Sequence, residues 1–486
     1  MSTIRLHDKN SVELFDSKFD ELMTEVSQLK ESHEIPSLKE KKEYEKIILD
    51  YCKQYKRKVY GGFAQNELIK KINPSDAFYD DTNMKDIDIY SPEPIEDLIR
   101  LANIFLDKGY KNIEAKEAAH IETYKLFVEF DNVLDVSYVP NNVYHRMPFV
   151  EIDGIHFMSA HFTMIDMFRM FTDPYGSGDF RWPKFERFAL LQKYYPFKKV
   201  TTLLDKIKPP NQKLDILEDI HKFIEDNTKT LMLFGDYAFC HFSEYADSKY
   251  TRTLDSYQII STNYIIDGNN LANLLNKKYD IQIVEYYPFW TYVDYSFDII
   301  YDGHVVVTMC GYNNRCTPVK EVKSTRFFDK TKKESKINLT ICAFDVTLMM
   351  GMIYQFKARV NKLDKEIEYY YAFISELMEM RNEYLEKHKK NMLSETLFQE
   401  FLTDCKGQPH NFEREKYLRR GKKAQKGGPI VWAYRPEKDG KKEPVSTWNF
   451  LNSSGNPVNN IKNLNIQLSN KKPKANTREK IDSETV

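Results

Sequence analysis

The segment "LFGDYAFCHF" at 233–242 restates "VYGGFAQNEL" at 59–68, and three further echoes follow in the same order. "LANIFLDKGY" at 101–110 returns as "LANLLNKKY" at 271–279, and a strand–turn–strand around Asp131-Asn132 returns around Asp302-Gly303. The amphipathic helix Ala160–Met170 returns as Ala343–Met352. Any one echo could be chance. Four in register, offset by roughly 170–183 residues, mark two tandem copies of one α/β module. The expectation is a mixed α+β chain: a helical segment 1–57, a first unit 58–200, a second unit 201–400 and a tail 401–486.

Residues 13–31 and 38–57 read as helices, with Leu14, Phe15, Phe19, Leu22, Met23 and Val26 at helical spacing. Lys58–Tyr60 is strand-like and runs into Gly61-Gly62, then a helix from Ala64 to Lys71. An alternating strand Lys85–Tyr90, a helix 95–108 and strands near Tyr124–Phe130 and Val133–Val139 complete the first unit's pattern.

The net charge of −1 hides an asymmetry, because residues 411–486 carry 17 Lys/Arg against 8 Asp/Glu. A basic appendage on an acidic body suits a polyanion, with "REKYLRRGKKAQKGG" (414–428) as its densest stretch. Arg414, Arg419, Arg420, Lys422 and Lys423 are the candidate contacts to such a polyanion, and a merely solvated tail is the competing reading. Much of 406–486 reads as mobile, apart from Trp432, Tyr434 and Trp448, whose rings suit docking or base stacking. Six scattered cysteines without a CxxC pair are expected to be reduced and mostly core. No apolar run approaches the roughly 20 residues of a membrane span, and no signal peptide is evident, so a soluble, non-secreted chain is expected.

The chemistry concentrates in "KDIDIY" at 85–90. Side chains alternate along a strand, so Asp86 and Asp88 share one face while Ile87 and Ile89 share the other. Two carboxylates on one face repel unless a cation lies between them, and a hard divalent ion suits oxygen ligands. By itself this is as readily a solvated acidic edge. Upstream, Gly61-Gly62 at a strand-to-helix junction allows backbone N–H groups to approach a phosphate. Downstream, in "NVLDVSYV" at 132–139, Asp135 alternates against Leu134 and Val136, so it can lie beside the first two acids. The second copy has Ile259-Ile260-Ser261-Thr262 after its helix, and Val306 where the turn alignment puts Asp135. It reads as catalytically dead.

The order of glycine turn, D-x-D strand and single Asp resembles the polymerase-β-type nucleotidyltransferase superfamily. "YGGFAQNELI", "KDIDIYSPEP", "EIDGIHFMSAHFTMIDMFRMFTDP" (151–174) and "WPKFERFALL" (182–191) further resemble the poly(A) polymerase catalytic subunits of poxviruses and giant viruses. The resemblance covers about 50–360 and implies two nucleotidyltransferase-like units, the first active and the second degenerate. It implies ATP as donor, an RNA 3′ end as acceptor and two Mg²⁺ or Mn²⁺ ions held by Asp86, Asp88 and Asp135. Gly61, Gly62, Asn66, Lys184 and Arg187 become nucleotide-contact candidates, although the family often has Ser at the position of Gly62. It also implies a homodimer, with no membrane association, in the cytoplasmic viral factory of an infected cell and possibly the virion. A tRNA or small-molecule acceptor, or a non-catalytic RNA-binding scaffold of the same fold, stays open.

Overall fold

A computed structural model describes residues 7–33, 37–79, 87–172, 181–199, 214–312, 316–329, 334–400, 404–407, 412–425, 431–444 and 454–458. The first half runs α1 (Lys9–His33), α2 (Leu38–Tyr55), β1 (Lys58–Tyr60), α3 (Gly61–Ile72), β2 (Ile87–Ser91), α4 (Pro94–Asp107), β3 (Glu114–Glu117), β4 (Thr123–Val128), β5 (Asp131–Tyr138), α5 (Asn141–Tyr144), β6 (Phe149–Ile152), β7 (Ile155–Met158), α6 (Ala160–Phe171) and α7 (Arg181–Tyr194). The second half runs α8 (Leu214–Asp226), β8 (Leu231–Phe234), α9 (Gly235–Tyr245), β9 (Tyr257–Ser261), α10 (Tyr264–Asn276), β10 (Ile281–Tyr286), β11 (Ser296–Tyr301), β12 (His304–Gly311), β13 (Thr317–Thr325), β14 (Glu334–Cys342), α11 (Phe344–Val360) and α12 (Asp364–Lys387). Beyond them lie β15 (Cys405–Lys406), α13 (Phe412–Gln425), β16 (Ala433–Tyr434) and α14 (Pro436–Asp439). The protein is α+β.

Local chemistry sets the entry to the first sheet. Ser37 and Glu40 form a reciprocal capping box that starts α2, and Lys56 in the left-handed region (φ 53°) ends it. Tyr44, Ile48, Tyr51 and Cys52, at i, i+4, i+7 and i+8, share one helix face and are buried, which fixes α2 on the core. In α1 the same spacing leaves Val12, Phe15, Phe19, Leu22, Met23 and Val26 exposed.

The two sheets have the strand orders β16-β3-β4-β5-β2-β1-β7-β6 and β10-β11-β12-β9-β8-β14-β13-β15. Without the tail strands β16 and β15, the second order repeats the first strand for strand. Each matched pair also keeps its direction: β1–β2 and β8–β9 are antiparallel, β2–β5 and β9–β12 parallel, β1–β7 and β8–β14 parallel. Even the bulge recurs, at Leu126/Phe127 and at Ile299/Ile300. The halves meet through α6 and α11, where Phe162 packs edge-on against Phe356 at 4.8 Å.

Two expectations are corrected. The β4–β5 turn is not Asp131-Asn132 but Glu129-Phe130, whose φ values of 49° and 67° give the left-handed pair a tight hairpin demands. Not all cysteines are reduced: Cys316 is bonded to Cys405, because β15 pairs with β13 beside them. Cys52, Cys240, Cys310 and Cys342 are free and buried. The stretch around Trp432 and Tyr434, singled out in the sequence for its aromatics, docks on the body. β16 extends the first sheet at β3, Tyr434 is 1% exposed, and Trp432 packs edge-on against Tyr124. The open sheet edge at β3 offers main-chain partners to this extended segment. Trp448 lies outside the described residues.

Candidate active site

Strand alternation puts the apolar residues Val59, Ile87, Ile89, Leu134 and Val136 of β1, β2 and β5 in the core. The opposite face therefore carries Tyr60, Asp88, Tyr90, Asp135 and Ser137. Asp88 stands directly across from Asp135 on its parallel neighbour and from Tyr60 on its antiparallel one. Asp86 lies outside the described residues. Among those described, no set of three or more His, Cys, Asp or Glu converges as a metal site, so two of the three expected carboxylates form the visible part.

Several groups fix this pair. Asp135 is held from β4 by Lys125, whose Nζ lies 2.8 Å from the carboxylate, and it accepts from Asn132 Nδ2 at 3.0 Å. Tyr60 and Tyr90 stack at 3.8 Å with their planes 7° apart, and the Tyr60 hydroxyl hydrogen-bonds Ser137 Oγ at 2.8 Å. Burial, followed by the charge of Asp88, raises the Tyr60 phenol well above its ordinary range. It stays neutral beside the acids.

The glycine turn is built for the carboxylate. Tyr60 is extended (φ −133°, ψ −166°), Gly61 turns left-handed (φ +72°), and α3 begins there. A Cβ on Gly61 would sit 2.2 Å from Asp88 Oδ2, so only glycine meets both the dihedral and the space. Asp88 thus lies over the N-terminus of a helix, whose backbone N–H groups and dipole favour anions. Gly62 faces different neighbours. Its Cβ would sit 2.4 Å from the Tyr79 hydroxyl and 3.1 Å from Arg187 Nη1.

Arg187 is brought to the turn by α7, with its guanidinium over Phe78 at 4.5 Å and over Tyr79 at 5.1 Å. Asn66 does not reach into the site as expected. Its side chain is buried, and Oδ1 accepts the N–H groups of both Phe78 and Tyr79 at 2.9 Å, so it supports the wall that Arg187 stacks on. The Lys184 side chain lies outside those described. In α13, Arg414 and Lys422 are exposed and Arg420 is half-buried, whereas Arg419 turns inward to Ala119 O (2.9 Å) and Glu117 (3.6 Å). The Lys423 side chain is outside those described. Sequence reasoning missed Lys125, Tyr60 and Tyr79.

The second unit repeats the cradle without the charge. Phe234 is extended (φ −134°, ψ −165°), Gly235 turns left-handed (φ +62°), and a Cβ there would sit 2.3 Å from Gln258 Oε1. Gln258 therefore takes the place of Asp88, and its Oε1 accepts the Asp236 N–H at 3.1 Å. Thr308 pairs with Gln258 as Asp135 pairs with Asp88. The expected counterparts Ile259–Thr262 and Val306 are thus corrected to Gln258 and Thr308, the latter error following from the misplaced hairpin turn. Across from Thr308, Asp298 accepts its hydroxyl at 2.6 Å where Lys125 faces Asp135. Tyr369 and Tyr370 of α12 close the space beside Gly235 and Gln258 to a cavity of about 10 Å³.

The same architecture occurs elsewhere. The family model "Poly(A) polymerase catalytic subunit" matches residues 46–177, and the model of the C-terminal part of the mimivirus-type catalytic subunit matches 190–468. A poly(A) polymerase catalytic subunit of Acanthamoeba polyphaga mimivirus is 34% identical over 470 residues, spanning 90% of this chain and 80% of that one. The chain belongs to the viral poly(A) polymerase catalytic subunits. The crystal structure of the Megavirus polyadenylate synthase superposes with a TM-score of 0.83 at 30% identity, covering 96% of this chain and 95% of that one. An African swine fever virus catalytic subunit is 26% identical over 156 residues, 31% of this chain and 32% of the relative. As a member of this family the chain is a transferase, a polynucleotide adenylyltransferase of giant-virus type.

Proposed function

We propose that the chain adds AMP from ATP to mRNA 3′ ends without a template, using Asp86, Asp88 and Asp135 as its catalytic acids. The observation that carries this is the direct cross-strand pairing of Asp88 with Asp135 beside the Gly61 turn. The acceptor 3′-oxygen bonds to the α-phosphorus of ATP as the bond to the β-phosphate oxygen breaks, and pyrophosphate leaves. Asp135 is the group placed to accept the hydroxyl proton. The α3 N-terminus and Arg187 offer donors to the phosphates.

The donor set fits hard divalent cations: carboxylate oxygens on one sheet face, with Lys125 as a local counter-charge. Asp86, Asp88 and Asp135 would hold two Mg²⁺ or Mn²⁺ ions, which when bound neutralise the phosphates and favour the ionised hydroxyl. The strand-for-strand match of the sheets supports 58–200 and 201–400 as two tandem units, the second degenerate. Arg414, Arg420 and Lys422 are the basic groups placed to attract RNA. The exposed stripe of α1 supports a homodimer, because Val12, Phe15, Phe19, Leu22 and Val26 alternate at three and four residues as a coiled-coil seam does. The cytoplasm of an infected cell is the proposed site of action.

The test is extension of an oligo(A) RNA primer with each of the four NTPs. ATP-dependent tailing by the wild type, lost in Asp88→Asn and Asp135→Asn, is expected. Tailing that persists undiminished in either variant would sink the assignment of the acids.

A further inference from the structure

The second unit sends one loop into the first. Between β10 and β11 the chain runs Tyr287–Tyr295, longer than the matching stretch Ala118–Glu122 between β3 and β4. At its tip Trp290 has φ +48°, a left-handed conformation that a bulky side chain rarely takes. Such an outlier persists only where its surroundings over-determine it, and it points to a task.

The surroundings are specific. Trp290 Nε1 donates to Tyr138 O at 3.1 Å, at the end of the strand that carries Asp135. Its ring meets Tyr90 at 5.3 Å and 80°, and Tyr90 is the ring stacked on Tyr60 beside Asp88. The next aromatic, Tyr292, donates to Asp166 Oδ1 at 3.3 Å, while Tyr90 donates to Asp166 Oδ2 at 2.8 Å. Arg169 lies over Tyr292 at 5.0 Å and faces the same Asp166 at 3.3 Å. From the tail, Ser454 Oγ accepts the Trp290 N–H at 2.7 Å, and Ser454 O accepts Asn142 Nδ2 of the first unit at 2.8 Å.

We propose that Trp290 is a positioning residue for adenylyl transfer, donated by the catalytically silent unit and latched by the tail. It fixes Tyr90 and, through the stack, Tyr60, so that β1, β2 and β5 hold Asp88 and Asp135 at a set separation. This rests on the assignment of those acids. The second unit then contributes to turnover although it carries no catalytic carboxylate of its own.

The test compares Trp290→Leu, Trp290→Phe and Ser454→Ala in the full chain, with Asp88→Asn as control. Single-nucleotide addition gives kcat and the KM for ATP, and thermal melting reports the fold. In Trp290→Leu, kcat should fall roughly tenfold or more, since small misplacements of reacting groups cost large factors. The KM for ATP and the melting midpoint should hold, and Trp290→Phe, which keeps an aromatic edge on Tyr90, should recover most of the rate. Wild-type kcat in a folded Trp290→Leu overturns the proposal. If that variant does not fold, Ser454→Ala decides: lower kcat with unchanged melting supports the latch, and unchanged kcat overturns it. An active Asp88→Asn would instead strike at the acids, which separates the two failures.

Discussion

Lys125 and Asp135 face each other across β4 and β5, with Nζ 2.8 Å from the carboxylate and both side chains partly buried. Removing one partner of such a pair leaves the other charge uncompensated. Lys125→Met should therefore lower the melting midpoint of the metal-free protein, by about 1–3 kcal/mol in stability. Mg²⁺ or Mn²⁺ should restore more of that loss than it adds to the wild type, because the ion can take over the vacated counter-charge. Thermal melting with and without the ion checks this; equal shifts in both proteins would count against a cation site at Asp135.

The two turn glycines should respond unequally. Gly61→Ala forces a left-handed residue with a side chain against the Asp88 carboxylate, and activity should fall by roughly 100-fold. Gly62→Ser meets the hydroxyl end of Tyr79 and, less closely, Arg187 Nη1, both ends of side chains that can swing aside. It should fold normally, and Tyr79→Phe should relieve any residual loss. Primer-extension rates of the three variants check the ranking.

Acid should weaken the second unit first. Burial holds the His241 imidazole down at about 3 and lowers His221 as well, the latter against the pull of Glu225. The unfolded chain takes up these protons near the usual histidine value while the folded chain does not. Stability is thus complete above that value and falls as pH drops, by roughly 1.4 kcal/mol per pH unit for each histidine, until about 4 for His221 and about 3 for His241. His241→Phe, which preserves the ring contacts to Tyr237 and Phe327, should flatten part of the slope in melting against pH.

The α1 stripe predicts concentration-dependent association. Light scattering should show a dimer for the wild type and a shift toward monomer for Phe15→Glu with Phe19→Glu. A monomer at micromolar concentration in both would remove the homodimer.

Most of the sheet and its acids could be read from alternation and repetition, which depend on local periodicity. Asp88 and Asp135 were placed on one face because strands of period two leave no other choice. Lys125 was not found, since its register with Asp135 depends on a bulge at Leu126/Phe127 and on a turn two residues from where Asp131-Asn132 suggested. Asn66 looked like a pocket residue because sequence shows proximity to a glycine turn but not direction; its amide faces backward to Phe78 and Tyr79. Trp290 is 200 residues from Tyr90, and nothing local announces a contact made by packing two units together. The Cys316–Cys405 bond is hidden for the same reason, whereas the aromatics Trp432 and Tyr434 did flag a docking segment.

Replanting carboxylates at Gln258 and Thr308 would not awaken a second catalytic centre. The Tyr369 hydroxyl is already bonded to Asp236, and with Tyr370 it lines the cavity of only about 10 Å³ left beside Gly235 and Gln258. On the proposed reading of that half as degenerate, it differs from the first in shape as well as charge, and the expected stoichiometry is one ATP per chain. Reversal would demand carving out α12 as well as restoring the acids.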